Sequence, residues 1–186
     1  NPYITLILVS IITSVLALFI LLINIPQNNF GLLLAFSIPV LSKSFVDFST
    51  SGLENPATHL LAISFVALYF KAEKPLSDKN LFFLSLLAGL ATFNRMDTLL
   101  FYLPALFVLL RNQFNKRIIL IMLAGFSPFI LWEIFSIIYY GFPVPNTYYA
   151  KMNTGIPLAE SALQGILYFI NSLGWDPITL PIIFST

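Results

Sequence analysis

Cysteine is missing from all 186 residues, which removes disulfide frameworks, thiolate metal sites and cysteine nucleophiles while leaving the redox compartment open. Charge is scarce as well. Lys, Arg, Asp and Glu together make up 9% of the chain, and a formal net charge of +1 is too small and too evenly spread to suit nucleic acid. Histidine occurs once, at His59. The signatures of soluble enzymes are also lacking: there is no Gly-rich phosphate loop, no GxSxG elbow, no HExxH and no metal-ligand cluster. No repeat of roughly 20–50 residues and no low-complexity linker is visible. No Lys or Arg precedes the first apolar run, and no small-residue cleavage site follows it at "INIPQNNF". Residues 3–25 therefore read as a true membrane span and not as a signal peptide. The chain opens without Met and stops at "PIIFST" inside another apolar run, so it reads as a fragment.

What fills the sequence is hydrocarbon. Hydrophobic residues reach 58%, with 19 Phe and a mean hydropathy of +0.89, outside the range of soluble domains. The expected fold is all-α: a polytopic transmembrane helix bundle of about seven membrane segments, forming a single transmembrane domain over 1–186. The apolar runs fall at 3–25, 30–45, 57–70, 81–93, 98–110, 118–140 and from Gln164 onward. Several are shorter than the roughly 20 residues that cross a bilayer, so 57–70 is extended back through "SGLENP". The runs 81–93 and 98–110 are read as helices broken near "NRMD".

Six of the nine basic residues fall in two connectors, 71–80 and 111–117, which the positive-inside rule assigns to the cytoplasm. Parity then sends 42–56, 94–97 and 141–163 to the external side. Three polar segments are thus expected to share one face, and each carries candidate groups. In "VDFSTSGLENPATHLL", Glu54 fits either a capping box behind Ser49 or Ser51 or a ligand-binding carboxylate. Asp47 lies upstream of that cap and is the stronger candidate. His59 is placed to share a wall with Glu54, either as a packing residue or as a binding group.

In "FNRMDTLLF", Arg95 and Asp97 are costly inside a membrane and face either the interface or a site. Two residues apart, they cannot meet on a regular helix, so they need partners elsewhere or a break there. The Arg fork suits a phosphate. In "YYGFPVPNTYYAKMNTGIP", the glycine and prolines stop a helix. Asn146 there suits sugar hydroxyls, Lys151 suits phosphate, and aromatic rings such as Tyr149 offer faces to a sugar or a lipid tail. Glu133 and Asp176, inside apolar segments, rank below the loops.

Taken in order, "DFSTSGLENP", "NRMD" and "FPVPNTYYAK" resemble the mycobacterial arabinofuranosyltransferase B type of membrane glycosyltransferase and its bacterial relatives. The likeness covers about residues 45–160, and relatives often have Pro at the position of Met96. It implies the GT-C fold, in the bacterial inner membrane, with a site facing the periplasm or exterior. The implied reaction moves a sugar from a polyprenyl-phosphate donor to a cell-envelope glycan or lipid acceptor, by displacement with inversion. An Asp deprotonates the acceptor hydroxyl while cationic and amide groups hold the departing phosphate. The resemblance implies Asp47 and Glu54 as catalytic-site carboxylates. Arg95 and Lys151 would contact phosphate, and Asn146 would orient the donor or the loop. Asp97, Tyr149 and His59 complete the expected binding set. No metal ligand is assigned; the implied chemistry requires no cofactor and leaves room for a divalent cation. Such enzymes carry the catalytic Asp in a first external loop that has no counterpart in this chain, in which case the named acids are supporting groups. The competing reading is a multi-pass ion-coupled or lipid transporter, with Glu133, Arg95 and Asp97 as coupling groups.

Overall fold

Asparagine and serine start most of the helices, because their side chains accept from a backbone N–H that the first turn leaves without a partner. The computed structural model describes residues 1–73, 75–112, 114–144, 148–149 and 155–175. Within them lie nine α-helices and no strand. Helix α1 (Pro2–Asn24) begins behind Asn1, α2 (Asn29–Leu41) behind Asn28 and α3 (Lys43–Ser49) behind Ser42. Helix α4 (Asn55–Lys71) has Pro56 in its first turn; α5 (Asp78–Asn94) is capped by Ser77, and α6 (Leu99–Asn112) follows it after a break. Asn115 caps α7 (Lys116–Gly125), which leads into α8 (Ser127–Tyr140) and, further on, α9 (Leu158–Trp175).

Two of the expected continuous spans are bent. The run 30–45 becomes α2 and α3 at 67° to each other, and 118–140 becomes α7 and α8 at 66°. Each break has a local cause. Ser42 turns extended and caps the next helix, while Pro128, in the first turn of α8, has no N–H to continue the ladder and crowds the carbonyl four residues back. The break expected near "NRMD" is present: Arg95 is extended and Met96–Thr98 forms a 3-10 turn. Helix α4 starts at Asn55, so the backward extension of 57–70 stops short of "SGLE". The last helix starts at Leu158, earlier than Gln164.

Among the described residues, α1 is long and apolar enough to cross a membrane, and the two bent pairs bring the number to three if each counts as one span. Helices α4 and α5 have 17 residues each and α6 has 14, below the roughly 20 that a perpendicular crossing takes.

Helix α5 sits at the centre, packed against α4, α6, α7 and α8, while α1 lies along α4. Its buried positions are Leu81, Leu84, Ser85, Ala88, Gly89, Ala91 and Thr92, mostly three or four residues apart and so on one broad face. Small side chains dominate that face and let backbones approach closely. A Cβ on Gly125 of α7 would stand 2.5 Å from Ser85 Cβ and 2.8 Å from the Leu86 nitrogen. Aromatics close the other side, where Phe65 meets Tyr102 edge-on at 4.8 Å between centroids. At the N-terminal end of α5, Arg117 donates to Asp78 and ties the two basic connectors together. The polar residues discussed next lie at its other end, ~25 Å away along a helix of this length.

Candidate functional site

Helix α5 ends because Arg95 leaves the helical region, and this break is what allows Arg95 and Asp97 to meet. Arg95 Nε donates to Asp97 Oδ1 at 3.2 Å and Nη2 to Oδ2 at 2.9 Å, a two-pronged contact. Nη1 donates to Asn55 Oδ1 at 3.0 Å and lies 3.8 Å from Glu54 Oε1. Hydrogen bonding to Asp97 raises the Arg95 pKa, and the same bond lowers that of Asp97. Both groups are thereby held in their charged forms.

The ends of α4 and α5 are joined beside this cluster. Asn94 Nδ2 donates to Thr58 Oγ1 at 2.9 Å and to the Glu54 carbonyl at 3.2 Å, while buried Thr98 donates to the Arg95 carbonyl at 2.7 Å. Glu54 itself occupies the N-cap position of α4, and its side chain makes no capping bond. The capping-box alternative does not form; the carboxylate turns to Arg95 instead. Asn55, Thr58 and Asn94 were not among the expected site residues. Asn94 and Asn55 adjoin Arg95 and Glu54 in sequence, but only the contact of α4 with α5 pairs them.

A cavity of about 510 Å³ opens beside Arg95. Asp97 and Met96 form one wall, Trp132, Glu133 and Ser136 of α8 another, and Phe142, Pro143 and Val144 a third. Ser136 Oγ donates to the Phe142 carbonyl at 3.0 Å, and Gly141 in the left-handed region (φ 75°) turns the chain off α8. Phe93 and Trp132 meet edge-on at 5.5 Å, so part of the wall is aromatic. Tyr149 packs behind Phe142 at 5.4 Å. Parts of the three polar segments come together: 54–55 touches Arg95, and 94–97 faces 142–144 across the cavity. Glu133 is a wall residue of this cavity, although the sequence ranks it below the loops.

Asp47 and His59 go elsewhere. They line a second cavity of about 910 Å³ between the α2–α3 bend and α9. Asp47 pairs with Lys43 one turn away at 2.5 Å, and the His59 ring stacks on Phe45 at 5.1 Å. The expected common wall of His59 and Glu54 is not formed. Five residues apart, they are rotated ~140° about the helix axis at 3.6 residues per turn. Asn146, Lys151 and Asp176 lie outside the described residues. Among the described residues, no three His, Asp or Glu side chains gather as a metal-binding group. Glu54 and Asp97 both face the Arg95 cation, an arrangement that does not resemble a preformed cation cage.

No protein-family model matches the chain, and no curated protein or solved structure matches it.

Proposed function

We propose that the chain belongs to a GT-C-type membrane glycosyltransferase of about seven membrane segments. It moves a sugar from a polyprenyl-phosphate donor to a cell-envelope glycan or lipid acceptor at the external face of the bacterial inner membrane. The observation that carries this reading is the Arg95 cavity. It combines carboxylates, which accept from sugar hydroxyls, with aromatic walls for a sugar ring and a cation held at the rim. It also lies at the end of the bundle opposite the basic connectors, as an externally facing site requires. Membrane embedding is supported by large apolar side chains left exposed on several helices, among them Leu100, Phe101 and Ile138.

Three of the five Arg95 donors are engaged by Asp97 and Asn55, so Arg95 offers phosphate only its remaining N–H groups. Lys151 is the second proposed phosphate contact, with Asn146 proposed to orient the donor and Tyr149 to offer a ring face to the sugar. In the reaction the acceptor oxygen attacks the anomeric carbon as the carbon–oxygen bond to phosphate breaks. The phosphate leaves with the electron pair, and the hydroxyl proton passes to a carboxylate. Asp97, held ionised by Arg95, is a weak base. Glu133 is the carboxylate on this wall with no ion pair among the described residues, and it is the proposed proton acceptor. Glu54 steadies Arg95, and Asp47 stands outside the reacting cavity.

The test is transfer from radiolabelled polyprenyl-phosphate sugars in proteoliposomes. Arg95→Ala should lower the rate about 10²-fold or more, and Glu133→Gln about 10²–10⁴-fold. The transporter reading draws on the two bent helix pairs, since broken helices build transport sites. Ion or lipid flux without transfer from any donor would select it.

A further inference from the structure

The second cavity lies outside the proposed reacting site, and its chemistry is different. Ile38, Pro39, Phe45 and Phe48 make its walls apolar, and Tyr168 of α9 lies along its open side. Polar groups gather at the bend: Lys43 and Asp47 form a paired plus and minus charge on one turn, both about half exposed. His59 faces the same space from α4. Its Nδ1 is buried and has no hydrogen-bond partner.

The surroundings of the mouth are hydrocarbon. Helix α2 leaves Phe30, Leu33, Phe36 and Leu41 exposed, and α9 does the same with Leu167, Tyr168 and Ile170. A volume of about 910 Å³ is at the large end of small-molecule pockets, which run to about 1,000 Å³. It fits a polar head with the first part of a chain.

We infer that this cavity binds a zwitterionic phospholipid. Lys43 takes the phosphate and Asp47 the ammonium, exchanging their contact with each other for one opposite charge each on the lipid. The His59 ring lies against the glycerol or ester oxygens, and the acyl chain follows Ile38 and Pro39 onto the face of α2. Charge complementarity decides the class. An anionic lipid would leave Asp47 against a second negative charge, whereas a zwitterion answers both members of the pair. The inference does not rest on the glycosyltransferase reading, because the lining residues are shared with no part of the Arg95 cavity.

The experiment is electron paramagnetic resonance on the protein in vesicles of mixed phosphatidylcholine and phosphatidylglycerol, with spin-labelled forms of each lipid as probes. The expected result is a motionally restricted fraction that favours phosphatidylcholine by roughly threefold, the size that two exposed charge contacts support. The preference should vanish in the Lys43→Gln/Asp47→Asn double variant and weaken in His59→Phe, which keeps the ring on Phe45. Ser172→Trp, on the opposite wall, should fill the space and abolish the preference for phosphatidylcholine with helix content unchanged. Equal restriction of both lipids, a preference for phosphatidylglycerol, or a preference that survives Ser172→Trp overturns the inference.

Discussion

Helices α5 and α9 have nearly the same length, 17 and 18 residues, yet one is the centre of the molecule and the other touches little of it. Seven residues of α5 are buried, whereas on α9 Ser172 alone among the described side chains is even partly covered. Hydrophobicity does not separate them, since both are rich in Leu and Phe or Ile. Spacing does. Ser85, Ala88, Gly89 and Thr92 make a smooth face on α5 that admits the backbone of Gly125 and Phe126, while Gly165 and Gly174 of α9 have nothing within 4 Å. Close approach turns apolar content into packing energy, because dispersion falls away with small gaps.

The comparison breaks most sharply at Leu84, which is fully buried. Leu84→Ala should cost about 2–5 kcal/mol in denaturant unfolding in detergent micelles. Leu163→Ala, at an exposed position of α9, should change stability by less than about 0.5 kcal/mol. If the two losses are equal, α9 is packed as tightly as α5 and the contrast fails.

Gly125→Ala comes next. Its added methyl would meet Ser85 and two backbone atoms of α5 below 3.0 Å, so α5 and α7 must part, at a cost of about 1–3 kcal/mol. Gly165→Ala, in open space, should instead stabilise by up to ~1 kcal/mol through helix propensity. Opposite signs in thermal unfolding would sharpen the comparison; the same sign would undo it.

Smaller effects belong to the polar end of α5. Asn94→Ala removes two hydrogen bonds that hold α4 to α5 and should cost about 1–2 kcal/mol. Hydrogen exchange at the first turn of α4 should rise at the same time. Asp97 gives the smallest signal. Its carboxyl titrates below the ordinary value of about 3.9 because Arg95 hydrogen-bonds the ionised form. The folded value is the lower one, so the contribution is complete above pH ~4 and is lost as pH falls through the depressed value. With Asp97 largely exposed, the contribution stays within about 1 kcal/mol. Unfolding curves of the protein and of Asp97→Asn should therefore converge as the pH drops below about 4.

Much of the fold was legible along the chain, because caps and breakers act on their immediate neighbours. The break at Arg95 lies where two charges interrupt an apolar run, and the glycine after Tyr140 stops α8. The bends at Ser42 and Phe126 were not read, since the apolar pattern continues through both and carries no trace of backbone direction. Of the site, Glu54, Arg95 and Asp97 were expected together and do meet, and Phe142–Val144 face them across the cavity. The assignment of Asp47 and His59 to a different cavity was invisible, because it depends on which face of α4 meets α5 and which meets the α2–α3 bend.

The sequence by itself determined an all-helical chain, the break near Arg95, and the gathering of charge into a few short connectors. Those properties depend on neighbours within one or two turns. Only the tertiary structure decided that Glu54 faces Arg95 without capping its helix, and that Glu133 joins Arg95 and Asp97 across a cavity. Each of these depends on how α4 and α8 dock on α5, contacts between residues far apart in the chain.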